Sequence, residues 1–101
     1  MKTLPIDIPA DAIAGFCRRH HIASLSLFGS VLRDNFTPRS DIDVLVDFLP
    51  GHTPGLITFV GMQRELGDIL GRTVDLNTRG DLSKYFVEEV LREALPMHVA
   101  A

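Results

Sequence analysis

Apolar residues recur at helical spacing in three segments of the chain and at strand spacing in the segments between them. Ile13, Phe16 and Cys17 are three and four positions apart, which predicts a first helix that packs on the core. A second stripe runs from Phe59 to Leu70 and a third from Leu82 to Ala94. The pattern predicts, in order, helix 9–20, strand 24–28, short helix 30–34, strand 41–48, helix 54–70, strand 73–76 and helix 82–94.

Turn and capping residues mark where these elements begin and end. Thr53-Pro54 is predicted to start the long helix as N-cap and first helical residue, and Gly71 is predicted to end it. Asp81 is predicted to cap the last helix, which Pro96 ends. The chain is therefore predicted to be an α/β protein with a small mixed β-sheet of three or more strands backed by helices.

The strand 41–48 begins with two aspartates. Alternate side chains of a strand share a face, so Asp41 and Asp43 project together with Cα atoms roughly 6–7 Å apart. Two carboxylates directed at one point repel each other unless a cation lies between them. Mg²⁺ suits the pair because it takes one or two carboxylates and completes its shell with water and phosphate oxygens. Asp47 lies on the same face about 20 Å further along, so it is expected to belong to the other end of the sheet.

A Gly-Ser pair directly follows the preceding strand. Gly29 lets the backbone turn sharply and approach a ligand, and the free amides of the short helix form an anion site to which Ser30 adds its hydroxyl. Arg33 is expected to reach a phosphate or the acidic pair, while Arg39 either contacts a phosphate or offsets local negative charge. Gly-Ser alone is usually a turn and Asp-x-Asp alone a solvated strand entry. Together, ten residues apart between two apolar strands, they predict a phosphate cradle facing a metal site.

The motif Gly29-Ser30, ten residues, Asp41-Ile42-Asp43 resembles the signature of the DNA polymerase β nucleotidyltransferase superfamily. The chain is most similar to its minimal nucleotidyltransferase (MNT) branch, small domains often paired with a HEPN-domain partner in toxin–antitoxin systems. The similarity covers residues 13–95 and implies a polymerase-β-type nucleotidyltransferase fold. It also implies that Gly29, Ser30 and Arg33 bind the nucleotide, with the Gly-Ser pair on the β- and γ-phosphates.

A third aspartate, Asp75, lies on the short strand 73–76. A Val-Asp-Leu sequence is ordinary by itself. The resemblance implies that Asp75 is the family's third acidic residue, on a strand beside Asp41 and Asp43. There it would complete the second of two Mg²⁺ ions and help to deprotonate the acceptor hydroxyl. Asp41, Asp43 and Asp75 are thus expected to be both the catalytic and the metal-binding residues.

The resemblance also implies the reaction, which is transfer of a nucleoside monophosphate, AMP from ATP, to a hydroxyl of a partner protein. In the family the acceptor is commonly a tyrosine of a HEPN ribonuclease toxin, which makes the MNT protein an antitoxin. One alternative is a catalytically silent antitoxin that neutralises its partner by binding alone. Another is a small-molecule nucleotidyltransferase, but such enzymes usually need an added domain that a chain of 101 residues is not expected to contain.

Composition narrows the possible partners. A chain of 101 residues is expected to form one domain, 1–101. The net charge of −3 lacks the basic face of a general nucleic-acid binder, so no direct nucleic-acid binding is expected. Cys17 is the only cysteine, which excludes a disulfide within the chain, and the four histidines lack metal-ligand spacing. No signal peptide or membrane-length apolar run is found, so a cytoplasmic protein is expected.

Overall fold

Four strands form one mixed sheet in the computed structural model, which describes residues 4–100. The elements are, in chain order, α1 (Ala10–Arg19), β1 (Ile22–Phe28), a 3₁₀ turn (Gly29–Leu32), β2 (Ile42–Phe48), α2 (Leu56–Leu70), β3 (Val74–Asn77), a second 3₁₀ turn (Arg79–Asp81), α3 (Lys84–Glu93) and β4 (Leu95–Val99). The strand order is β3-β2-β1-β4, with β1 antiparallel to β2 and β4, and β2 parallel to β3. The predicted α/β class with a small mixed sheet is confirmed.

The main core lies between one face of the sheet and the helices α1 and α2. Ile42, Val44 and Val46 alternate along β2 toward this face and are buried, as their spacing predicts. The apolar stripes of the two helices meet them, with these residues buried: Ile13, Phe16 and Cys17 of α1, and Met62, Leu66 and Leu70 of α2. None of the helices within residues 4–100 has the length and apolar character needed to cross a membrane.

A smaller apolar cluster lies on the opposite face of the sheet, beneath α3. Phe28 of β1, Leu45 of β2 and Val90 of α3 are buried together. Along β2, the residues that alternate with the core positions are Asp43, Leu45 and Asp47. The fold therefore directs the aspartates of β2 to the face on which α3 lies.

After α3, residues 95–99 form the strand β4, an element that the sequence did not predict. β4 pairs antiparallel with β1 at the edge of the sheet, and Pro96 is the register partner of Ser26. Proline is tolerated in an edge strand because the strand's outer row of backbone groups needs no partner in the sheet. The helix α3 does end before Pro96, at Glu93, as the proline predicts, and what the sequence missed is the strand that follows.

Both helix starts that capping residues predicted are wrong. The helix α2 begins at Leu56 with Gly55 as its N-cap, not at Thr53-Pro54. The helix α3 begins at Lys84, with Ser83 as its N-cap. Asp81 closes the second 3₁₀ turn instead, where its Oδ2 accepts a hydrogen bond from the Thr78 amide at 2.9 Å. An aspartate is suited to cap a helix, but the Asp81 carboxylate accepts its hydrogen bond within the Thr78 turn and does not cap α3.

Candidate active site

Two aspartates of neighbouring strands lie side by side. Asp43 and Asp75 are register partners in the parallel pair β2–β3, so one inter-strand spacing of about 4.8 Å separates their backbones. Asp41 directly precedes the first residue of β2. Asp43 is half-buried, whereas Asp41 and Asp75 are exposed. The prediction that the strand carrying Asp75 pairs beside the Asp-x-Asp motif is confirmed.

Asp43 is held among negative charges. Burial raises the pKa of the Asp43 carboxyl above its ordinary value of 3.8, and the nearby charges of Asp75 and Asp41 raise that pKa further. The electrostatic effect reaches Asp43 from both neighbours, so the three residues form one acidic cluster. A cation bound among them would have the opposite effect, because it would favour the ionised carboxylates.

The donor chemistry of this cluster fits Mg²⁺. Carboxylate oxygens are hard ligands, and Mg²⁺ takes one or two of them while keeping water and phosphate oxygens in its other positions. Within residues 4–100, no three His, Cys, Asp or Glu side chains are already arranged around one point. Because Asp41 and Asp75 are exposed, their side chains are free to rotate toward Asp43. The cluster therefore suits an ion that arrives together with phosphates.

At Gly29 the Gly-Ser turn passes close to the acidic cluster. The φ of Gly29 is +76°, in the left-handed region that only glycine adopts at little cost. A Cβ atom at this position would collide with Oδ2 of Asp43. Phe28 and Asp43 are register partners in β1 and β2, which explains why the following turn passes so close to the carboxylate. Two separate features therefore require glycine at position 29, the positive φ and the nearby Asp43 carboxylate.

The predicted short helix is present as a 3₁₀ turn, Gly29–Leu32, which begins one residue earlier and ends two residues earlier than the predicted range 30–34. Arg33 ends the turn in extended backbone, with its amide donating to the Ser30 carbonyl at 2.9 Å. Its guanidinium Nη2 donates to Oε2 of Glu93 on α3 at 2.8 Å. Arg33 therefore points at α3 in this structure, not at the acidic cluster. Its predicted contact with a phosphate stays a prediction.

Asp47 belongs to a separate polar cluster. Arg79 donates from Nε to Oδ1 of Asp47 at 3.1 Å and from Nη2 to Oδ2 at 3.1 Å. The Ser24 hydroxyl donates to the same Oδ2 at 3.1 Å. The expectation that Asp47 lies apart from Asp41 and Asp43 is confirmed.

Arg72 is a residue near the cluster that the sequence does not reveal. Its Nη2 donates to the carbonyls of Thr37 and Ser40, in the loop that leads to Asp41. Its guanidinium also lies over the ring of Phe36, 4.7 Å from the ring centroid. These partners are more than 30 positions away in sequence, so no local spacing marks the contact.

Asp41 and Asp75 of the acidic cluster are exposed, whereas Asp43 is half-buried. Three surface grooves of about 650, 420 and 330 Å³ are found in the described part of the chain, and Asp41, Asp43 and Asp75 line none of them. The first of these grooves lies between α2 and β3, and its lining includes Thr73 and Val74, the residues directly before Asp75. A small acceptor molecule would find no enclosing pocket at this cluster in the described grooves.

Comparisons with known proteins agree with this geometry. The nucleotidyltransferase domain family matches residues 11–96. The protein adenylyltransferase MntA of Thermococcus cleftensis is 34% identical over 77 residues, which are 76% of this chain and 76% of that protein. A solved structure described as a minimal nucleotidyltransferase is 36% identical, with a TM-score of 0.70 and coverage of 86% of this chain and 87% of that one.

A toxin–antitoxin complex shares the same fold. It contains the tri-AMPylated HEPN toxin of Shewanella oneidensis with an MNT antitoxin. The chain matched there is 22% identical, with a TM-score of 0.63 and coverage of 90% of this chain and 70% of that one. At this level of identity the likeness shows the fold alone.

Proposed function

The chain belongs to the minimal nucleotidyltransferase family, and from that premise we propose that it transfers AMP from ATP to a hydroxyl of a partner protein. It is an enzyme of the protein adenylyltransferase class. The partner in this proposal is a HEPN ribonuclease toxin, and the acceptor is one of its tyrosines. AMP on that residue silences the toxin, so this chain acts as its antitoxin.

One observation carries the proposal, namely the close approach of the Gly29 backbone to the carboxylate of Asp43. Backbone that lacks a side chain can come close to phosphates. The Gly29 backbone lies beside Asp43, which pairs with Asp75 on the parallel strand. Phosphates and metal-binding oxygens would therefore meet at one place. Charge that develops on a transferring phosphate is neutralised best by groups that are already in position.

Each residue of the site has one task in the proposed transfer. Asp41 and Asp43 would hold Mg²⁺, and Asp75 would help to hold a second ion and would accept the proton of the acceptor hydroxyl. Gly29 and Ser30 bind the β- and γ-phosphates with backbone amides and the serine hydroxyl. Bound Mg²⁺ neutralises phosphate charge and lowers the pKa of the attacking hydroxyl.

The bond changes of the transfer balance with these groups alone. The acceptor oxygen forms a bond to the α-phosphorus, the bond from that phosphorus to the bridging oxygen breaks, and pyrophosphate leaves with the bond electrons. The hydroxyl proton passes to the Asp75 carboxylate and from there to water, because Asp75 is exposed. Catalysis is then mainly positioning and charge neutralisation.

The open position of the acidic cluster supports a macromolecular acceptor. A partner protein presents its hydroxyl to an exposed site, whereas a small molecule needs walls around it. The relatives named as protein adenylyltransferases support the same choice. A small-molecule acceptor is correspondingly disfavoured.

Labelled ATP tests the reaction class. With a HEPN partner and Mg²⁺, ATP labelled at the α-phosphate is expected to label the partner, and ATP labelled at the γ-phosphate is not. Label from the γ-phosphate would mean phosphoryl transfer and would contradict the proposal.

Binding without catalysis is the second candidate function, and it makes a different prediction. If this chain neutralised its partner by occlusion alone, the Asp41→Asn/Asp43→Asn variant would still protect cells from the toxin. If transfer is required, the same variant binds the toxin but no longer protects.

Arg33 gives a prediction about nucleotide affinity. Its guanidinium forms an ion pair with Glu93, and the side chains of both residues are about half exposed. Exposed pairs of this kind are worth about 1 kcal/mol at most, so a phosphate can compete for Arg33. Glu93→Gln is expected to lower the KM for ATP by up to about fivefold, since the arginine becomes free for the nucleotide.

Steady-state kinetics at varied ATP concentration measure this change. Glu89→Gln is the matched control, because Glu89 is an exposed glutamate on the same helix. An unchanged or higher KM for ATP in the Glu93 variant would mean that Arg33 does not bind the nucleotide.

A further inference from the structure

Arg72 holds the loop that precedes the acidic cluster. One nitrogen, Nη2, donates to the carbonyl of Thr37 at 2.9 Å and to the carbonyl of Ser40 at 2.7 Å. The guanidinium lies over the Phe36 ring at 4.7 Å, where a cation and an aromatic face attract each other. The side chain thus contacts residues at both ends of the segment 36–40.

The loop is otherwise held mainly by its own short-range bonds. The Ser40 amide donates to the Thr37 carbonyl at 3.0 Å, and the Thr37 amide donates to the Ser40 hydroxyl at 3.0 Å. These bonds form a closed turn between Thr37 and Ser40. Thr37 is exposed and Ser40 is partly exposed. Arg72 joins this turn to the end of α2, so it ties the loop to the rest of the fold.

A backbone hydrogen bond also ties the start of β2 to the residue before β3. Ser40 is the residue before Asp41, and the amide of Ile42, the residue after it, donates to the Thr73 carbonyl at 2.9 Å. Asp41 is therefore flanked by two anchors, and adjacent residues, Arg72 and Thr73, supply both. Asp41 itself is exposed and lies outside the strand, so its backbone position depends on these anchors.

We propose that Arg72 is a positioning residue, which fixes the backbone of Asp41 so that its carboxylate meets those of Asp43 and Asp75 around a divalent cation. This inference rests on the proposed function for the role of the acidic cluster. Arginine suits the task because its planar guanidinium stacks on Phe36 while it donates to two carbonyls, which a lysine ammonium does not reproduce. Residues that orient a metal ligand typically change metal affinity or activity by 10–100-fold when they are replaced.

Hydrogen exchange on the whole chain tests whether Arg72 fixes the loop. In Arg72→Met the amides of Thr37, Ser40 and Ile42 are expected to exchange at least about tenfold faster, because two hydrogen bonds from a charged donor are lost. The amides of β1 are expected to keep their rates. Arg72→Lys keeps the stem and the charge, and its loop rates are expected to fall between those of Met and wild type.

Mn²⁺ binding, measured by electron paramagnetic resonance without nucleotide or partner, tests whether the loop places Asp41. The Kd for Mn²⁺ is expected to rise about tenfold in Arg72→Met and less in Arg72→Lys. The matched control is Arg64→Met, an exposed arginine of α2 that lines the same groove as Arg72. It is expected to leave both the exchange rates and the Mn²⁺ affinity unchanged.

The possible outcomes separate this proposal from the proposed function. Loop exchange or Mn²⁺ affinity at the wild-type value in the Arg72 variants overturns the positioning role, as does an equal effect in Arg64→Met. If Arg72→Met does not fold, Arg72→Lys carries the same two measurements. Absence of any AMP transfer by the wild-type chain would overturn the proposed function, and neither of these measurements depends on transfer.

Discussion

An Asp43→Asn variant is expected to lose AMP transfer by roughly 10³-fold or more and yet to be more stable than the wild-type chain. The activity falls because a metal ligand is worth several kcal/mol of transition-state stabilisation. The stability rises because Asp43 is half-buried beside Asp75 and Asp41, and its raised pKa means that the fold makes ionisation of this carboxyl unfavourable. A neutral amide of the same shape removes both the cost of burying a charge and the repulsion from Asp75 and Asp41.

The stability gain has a defined pH dependence. A carboxyl whose pKa is higher in the folded state than in the unfolded state lowers stability as pH rises from its ordinary value of 3.8 through the raised value. The wild type and Asp43→Asn are therefore expected to differ little below pH 3.8 and most at neutral pH. Urea unfolding at a series of pH values without divalent ions measures the difference.

Two controls make the result specific to the acidic cluster. Mg²⁺ is expected to raise the melting temperature of the wild type but not of Asp43→Asn, because in the proposed site Asp43 is one of the carboxylates that would hold the ion. Asp47→Asn, on the same strand and face, removes the partner of Arg79 and Ser24 and is expected to lower stability without affecting the Mg²⁺ response. A less stable Asp43→Asn variant at neutral pH would contradict the electrostatic account.

A Gly29→Ala variant is expected to lose about 1–2 kcal/mol of stability from the left-handed backbone alone and about 100-fold of transfer activity in addition. The loss of activity follows because the new Cβ would displace the Asp43 carboxylate, which it would otherwise overlap. A displacement of about 1 Å of a catalytic group is enough for an effect of that size. Urea unfolding and initial transfer rates measure the two losses.

The chain offers a closely matched control for this variant. Gly51 also has a positive φ, +81°, but a Cβ there would meet nothing within 4 Å. Gly51→Ala is therefore expected to show the same order of backbone destabilisation and full transfer activity. Equal activity losses in the two variants would mean that strain, and not the contact with Asp43, accounts for the effect.

Much of the site geometry was predictable because it depends on strand alternation and on neighbouring elements. Ile42, Val44 and Val46 define which face of β2 is buried, so Asp43 must lie on the other face. The short strand with Asp75 is ordinary by itself, and its place beside Asp41 and Asp43 was expected from the resemblance to the nucleotidyltransferase superfamily. The register that places Asp75 opposite Asp43 agrees with this expectation.

What the sequence did not reveal is which partner, near or distant, each of these residues meets. Pro96 follows the end of α3 as predicted, but only the pairing with β1 makes it part of an edge strand. Asp81 is a good cap by composition, but Thr78 uses it in another turn. The ion pair of Arg33 with Glu93 spans 60 positions in sequence. A residue's intrinsic preference does not reveal which distant partner competes for its side chain.

Intact-mass spectrometry of a HEPN partner tests the central claim most directly. The partner is incubated with this chain, Mg²⁺ and each nucleoside triphosphate in turn, in parallel with the Asp41→Asn/Asp43→Asn variant. A mass increase equal to one or more AMP groups with ATP, absent with the variant, is the predicted result. An unchanged partner mass with every triphosphate, while the two proteins still form a stable complex, would contradict transfer and leave binding alone as the function.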